Sequence, residues 1–261
     1  MSILESIALG FVQGLTEFLP VSSSGHLVLL QNIFGMSEPP LFFDTMLHLG
    51  TLVAVVIVLW HSIWALFKKP FDKLLYLIIA TIPAVLFSLL FKDFLESTFT
   101  GIYLGYEFLI TAVILVAAEL LSGRIRKRRR IKAGSAAVMG VMQALSIFPA
   151  ISRSGATIAG GLACGIERKE AATFSFLMSI PAILGSVLFQ GYDIVQQNTV
   201  TVDWLPTIIG MACAAISGYF AVRFMIALVS KKKLYGFAVY VTIIGVFVLL
   251  DQHVLGLINW A

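Results

Sequence analysis

The chain has 261 residues, 59% of them hydrophobic and only 12% charged, with a formal net charge of +4. A soluble domain carries about 25% charged residues, so this composition excludes an ordinary soluble globule and indicates a polytopic membrane protein. So small a net charge does not suggest a nucleic-acid binder. The two cysteines, Cys164 and Cys213, lie far apart in apolar stretches and read as packing residues, not as a redox or metal pair.

The start, MSILES, has an acid and no Lys or Arg, which argues against a cleaved signal peptide. The first apolar region is broken. Ile3–Leu19 carries Glu5, Gln13 and Glu17 and is ended by Pro20, and the following Leu27–Phe34 is too short to cross. Three spans are then expected, at 41–61, 73–91 and 102–121. A second broken region follows: Ser135–Phe148 is cut by Pro149, and Thr157–Ile166 is again short. Three more spans are expected at 170–190, 204–228 and 235–251, each near the ~20 residues a bilayer requires. The broken regions read as helix-loop-helix pairs that enter the membrane and return. Irregular backbone at that depth is tolerated only where protein or a cavity surrounds it.

If each pair returns to its own side, 16 of the 18 Lys and Arg residues gather on one face, which the positive-inside rule makes cytoplasmic. Both termini are then outside. The run RIRKRRRIK is mainly a topology signal, with anionic membrane lipids as a further contact. Lys92 falls on the other face. Arg153, in the second broken region, is left inside the membrane domain.

The chain also repeats itself. In GFVQGLTEFLPVSSSGH and GVMQALSIFPAISRSGA, Gly10, Gln13, Ser22, Ser24 and Gly25 match Gly140, Gln143, Ser152, Ser154 and Gly155 at an offset of 130. The spans follow the same offset. Each half holds one broken pair and three spans; three is odd, so the halves have opposite orientation, as in inverted-repeat transporters. The expected fold is all-α and polytopic: six spanning helices plus two re-entrant helix-loop-helix pairs in an inverted repeat. No polar stretch is long enough for a second domain, so one transmembrane domain is expected over 1–261, with halves of about 1–130 and 131–261.

The two loops would meet in the interior. Ser22, Ser23 and Ser24 precede one short helix, and Ser152, Arg153 and Ser154 precede the other. Helix starts offer free N–H groups to anions, and a guanidinium donates to phosphate in parallel pairs. The expected ligand is a strongly anionic group. Gln13 and Glu17 share a helix face. Asp44 and His48 are weaker candidates for the cavity wall; for them, and for Glu107 and Glu119, structural pairing is the favoured reading. The Gly101–Gly105 GxxxG spacing is a slight hint of a homodimer.

QGLTEFLPVSSSGH and PAISRSGAT resemble the two signature motifs of the undecaprenyl-pyrophosphate phosphatases of the bacitracin-resistance type, and the resemblance runs along the whole chain. Gln13 stands at a position the family fills with Glu or Gln. Ala150 replaces the usual Gly, so a turn needing positive φ would have to differ here. The resemblance implies an integral membrane enzyme that removes the terminal phosphate of a polyprenyl pyrophosphate and recycles the lipid carrier for wall synthesis. Its site would open to the outer face of the cell membrane. It further implies that Arg153 clamps the phosphoryl oxygens, Ser23 is the nucleophile and His26 the acid/base. Glu17, with Gln13, would hold Mg²⁺ or Ca²⁺, and Ser22, Ser24, Gly25, Ser152, Ser154 and Gly155 would bind substrate. Attack by water or by His26 is the alternative mechanism. The alternative function is a transporter or flippase of prenyl phosphate lipids, which would need Arg153 but not a Ser–His pair.

Overall fold

The computed structural model describes residues 1–36, 41–91, 101–125, 129–197, 203–258 and 260. Lys92, Arg126, Lys127 and Arg128, which contribute to the charge pattern, lie outside the described residues. The first half comprises α1 (Ile3–Phe18), α2 (Ser23–Ile33), α3 (Leu41–Val58), α4 (Trp60–Leu66), α5 (Asp72–Leu90) and α6 (Leu104–Arg124). The second comprises α7 (Ala133–Leu145), α8 (Arg153–Ala163), α9 (Arg168–Gln197), α10 (Trp204–Lys231) and α11 (Tyr235–Leu250), closed by a π-helical turn at Asp251–Leu255.

Five helical segments are long and apolar enough to span: Asp72–Leu90, Leu104–Arg124, Arg168–Leu188, Trp204–Lys231 and Tyr235–Leu255. A sixth span is counted when α3 and α4, which meet at a 77° bend between Val58 and Trp60, are taken as one broken span. The sequence places one span over 41–61, and α3 fills it as far as Val58. Leu59 then leaves helical geometry and is buried in the core, while exposed Trp60 and Trp64 pack edge to face. Tryptophans of this kind suit a membrane–water interface. The spans turn apolar surface outward: α5 buries only Ala80 and exposes Leu75, Ile78, Ile82, Leu86 and Leu89. In water that face would be unstable; in lipid it is the expected one.

The two broken pairs are as the sequence suggests. Helices α1 and α2 have 16 and 11 residues, and α7 and α8 have 13 and 11. At 1.5 Å per residue each falls short of the ~30 Å hydrocarbon core. The repeat is written into the packing: α1 lies on α10, and α7 lies on α5, its counterpart in the other half. Small residues permit both crossings. A Cβ on Gly10 would strike the carbonyl of Gly210, and one on Gly140 would strike the carbonyl of Ala80. These are matched positions, 10 with 140 and 80 with 210. Gly105, of the GxxxG pair, is likewise used within the chain, facing Leu249 and the Gly245 carbonyl on α11.

Beneath the loops, Phe18 and Phe176 meet edge to face at 5.6 Å within a core shared by α1, α3, α6, α8, α9 and α10. At one end of the bundle Arg168 grips Glu119 with both terminal nitrogens, at 3.0 and 2.6 Å, and also donates to the carbonyls of Val229 and Lys232. Glu119 accepts the Leu234 N–H as well. This clasp fixes α6, α9 and the α10–α11 turn. Glu119→Gln removes the charge partner of a largely buried guanidinium. It is expected to cost about 3–5 kcal/mol, read as a lowered unfolding temperature in detergent.

Candidate active site

The loops Leu19–Ser22 and Ser146–Ser152 meet and are stitched reciprocally. Ser24 Oγ donates to the carbonyl of Pro149, and Ser154 Oγ donates to the carbonyl of Leu19 at 2.9 Å. Both donors and both acceptors are related by the 130-residue offset. Ser22 Oγ also donates to Pro149 O, at 2.8 Å. Ser22 caps α2 by accepting from the Gly25 N–H at 3.4 Å, and Ser152 caps α8 by accepting from Gly155 N–H at 3.1 Å. The capping hydroxyls therefore use the N–H groups that the sequence offers to an anion at Gly25 and Gly155.

From outside the loops, α6 holds the second one. Glu107 accepts the Ala150 N–H at 3.0 Å, while Thr111 donates to Ala150 O and accepts from Ser152 N–H. Ala150 is not in the positive-φ region; among the described non-glycine residues only Ser22 is, at φ 69°. The turn needs no glycine at 150. The strain sits instead at Ser22, a position of the kind that persists only where neighbours over-determine it.

A cavity of about 190 Å³ opens at this junction, lined by Thr16, Glu17, Ser22, Ser23, Ser24, His48, Ser146, Ile151, Ser152, Arg153, Ala182, Ile183 and Ser186. Pockets for drug-sized ligands run to about 300–1,000 Å³, so this one is sized for a small polar group. Glu17 is its hub. One carboxylate oxygen is ion-paired with Arg153 Nη2. The other accepts from Ser23 Oγ at 2.5 Å and from Gln13 Nε2 at 3.1 Å, with His48 Nε2 at 3.8 Å. Two buried polar atoms here have no partner: Arg153 Nη1, a donor, and Gln13 Oε1, an acceptor.

Of the residues the sequence singles out, Glu17, Ser22, Ser23, Ser24, Ser152 and Arg153 come together on the cavity wall. Gln13 lies behind Glu17. Ser154, Gly25 and Gly155 serve the stitching and the caps and do not line the cavity. His26 does not line it either. Its Nδ1 hydrogen-bonds the Ser22 carbonyl at 2.6 Å, its Nε2 meets the Tyr240 hydroxyl at 2.8 Å, and the ring stacks on Tyr240. The imidazole that faces the cavity is His48, on α3. Its Nδ1 hydrogen-bonds the Asp44 carbonyl at 2.8 Å, and the Asp44 carboxylate accepts from Gln31 of α2. Thr16 and Ser146 were missed, though the repeat aligns them as a hydroxyl pair. Tyr240 and Ser186 lie in apolar spans, where nothing local marks them.

Fold and cavity define a membrane-embedded polar site, made by two re-entrant loops of an inverted repeat. The family model described as bacitracin resistance protein BacA matches residues 6–247. An undecaprenyl-diphosphatase of Carboxydothermus hydrogenoformans is 49% identical over 256 residues, covering 97% of this chain and 98% of that protein. An undecaprenyl-diphosphatase 4 of Bacillus cereus is 46% identical over 97% of this chain and 98% of that protein. The undecaprenyl-diphosphatase of Methanosphaera stadtmanae is 37% identical over 98% of this chain and all of that protein. The chain belongs to the BacA bacitracin-resistance family and is a multi-pass membrane protein.

Proposed function

We propose that this protein is an undecaprenyl-diphosphatase: it hydrolyses the terminal phosphate from a polyprenyl pyrophosphate, returning the monophosphate carrier for wall synthesis and conferring bacitracin resistance. The observation that carries this reading is the unpartnered Nη1 of Arg153, buried on a guanidinium whose other arm is held by Glu17, beside the Ser23 hydroxyl. An unpaired buried donor is costly; a phosphoryl oxygen removes that cost. Arg153 clamps the terminal phosphate. Ser23 attacks it, and the hydrogen bond to Glu17 already points the hydroxyl proton at a carboxylate. His26 takes an acid/base role in this scheme only when its Nε2 leaves Tyr240. In the described geometry it braces the strained Ser22 carbonyl.

A divalent ion, Mg²⁺ or Ca²⁺, fits the donor set. Gln13 Oε1 is a buried oxygen without a partner, one helical turn from the Glu17 carboxylate, and such ions use few carboxylates plus substrate phosphates. When bound, the ion supplies positive charge to the pyrophosphate oxygens. The site opens to the outer face of the cell membrane, with both termini outside, following the basic residues.

The test is phosphate release from a long-chain prenyl pyrophosphate by purified protein in detergent. Release is expected with a divalent ion and is expected to stop with a chelator and resume when Mg²⁺ or Ca²⁺ is restored. Lipid binding without release under any ion would reject hydrolysis and favour the lipid transporter, since carriers share this inverted architecture.

A further inference from the structure

We propose that Glu107 and Thr111 are positioning residues: through the backbone of the second loop they set where Arg153 stands, an inference that rests on the diphosphatase reading. Glu107 lies within the α6 span and is only 6% exposed. An ionisable side chain in such a place is expensive and points to a function. Its Oε2 accepts the Ala150 N–H at 3.0 Å. One turn along the helix, Thr111 Oγ1 donates to Ala150 O and accepts from Ser152 N–H, both at 3.0 Å. Arg153 is the next residue. Its own carbonyl accepts from Thr157 Oγ1 at 2.8 Å, and that hydroxyl is joined to Ser175 Oγ of α9 at 2.6 Å. The backbone is therefore held by α6 before Arg153 and through α9 after it.

The repeat separates this brace from ordinary packing. If the fold alone required it, α11 would carry the same groups for the first loop. Counted from Glu107, the offset of 130 falls on Phe237, and the offset of 131 between the starts of α6 and α11 falls on Ala238. Neither side chain accepts a hydrogen bond. Thr242, 131 residues after Thr111, spends its hydroxyl on the Ala238 carbonyl of its own helix at 2.7 Å. The loop with the polar brace is the one with the guanidinium. Arg153 reaches across the repeat to Glu17 with Nη2 and keeps Nη1 for a phosphoryl oxygen. A planar fork fills both places in one orientation, and a displacement of about 1 Å in a reacting geometry costs about 10²-fold in rate. The bond from Ala150 N–H requires only an acceptor oxygen at position 107.

The experiment measures phosphate release from long-chain prenyl pyrophosphate by Glu107→Leu, Glu107→Gln and Thr111→Val, each counted per folded molecule by size exclusion and thermal unfolding. Glu107→Leu is expected to lose about 10²-fold in kcat/KM. Glu107→Gln keeps an acceptor oxygen and is expected within about fivefold of wild type. Thr111→Val keeps the side-chain volume, removes the other two bonds and is expected to fall about tenfold or more; it carries the test where Glu107→Leu does not fold. Because the brace acts through Arg153, the double variant of Thr111→Val with Arg153→Ala is expected within about twofold of Arg153→Ala alone, a non-additivity that a general loosening of the fold does not produce. Full activity in Glu107→Leu or Thr111→Val, a Gln variant as slow as Leu, or additive losses in the double variant would each overturn the inference. Wild-type protein that releases no phosphate would instead overturn the diphosphatase reading beneath it.

Discussion

Arg153→Ala is expected to lose phosphate release by about 10³-fold or more, the range in which an arginine supports phosphoryl transfer. Arg153→Lys is not expected to restore it. The two arms of this guanidinium have separate duties: Nη2 pairs with Glu17, and Nη1 is the spare donor. An ammonium is a single point charge and does not fill both places in a fixed fork. Lysine can neutralise Glu17, yet it leaves the phosphoryl group one donor short, a deficit of about 10²–10³ in kcat. Stability separates the two effects. Alanine leaves the Glu17 carboxylate, whose side chain is only 5% exposed, without its counter-charge, and breaking such a pair costs about 3–5 kcal/mol. Lysine keeps the pair, so its unfolding temperature is expected near wild type while its kcat is low. Full activity in Arg153→Lys would show that charge alone suffices and that the spare nitrogen has no role.

Ser23→Ala is the second large effect. Its hydroxyl is the cavity-wall hydroxyl that donates directly to the Glu17 carboxylate. Ser24 and Ser22 spend theirs on Pro149, and Ser152 accepts the Gly155 N–H. A nucleophile requires an adjacent base, and among these serines Ser23 has one. Turnover is expected to fall below detection, and acid-quenched wild type is expected to carry label from the terminal phosphate on Ser23. Ser24→Ala instead removes one of the loop stitches, so its deficit is expected in stability before rate. Near-normal turnover by Ser23→Ala would replace the phosphoserine route with direct attack by water.

The architecture was legible because bilayer physics is written locally. Span length, Pro20 and Pro149 as stops, basic residues clustered between spans and an offset of 130 are properties of the linear chain. So is the anomaly of Arg153, a charge where the layout leaves only apolar surroundings. The Ser/Arg motifs identify both loops, and the structure brings Ser23, Glu17 and Arg153 together. The bend at Leu59 was not legible. No Pro or Gly marks it, and it depends on Leu59 entering a core made by other helices.

The choice of imidazole belongs to the tertiary structure. Three residues along a helix is about 60° around its axis, so His26 is near Ser23 in sequence without having to share its outlook. Which way it turns is decided by Tyr240, 214 residues away, and by the strained Ser22 carbonyl. His48 lies on another helix, and it reaches the cavity because α3 packs against α1, α9 and α10. The capping serines divide in the same way. The sequence determined that hydroxyls stand at two helix starts; only the assembled loops decided that Ser24 and Ser154 tie them together while Ser23 keeps its oxygen for Glu17. Composition, breaks and repeat fix what each segment can be, because they act over a few residues. The partner of each polar atom is fixed by helices meeting from distant parts of the chain, and that is settled only when the two halves close on each other.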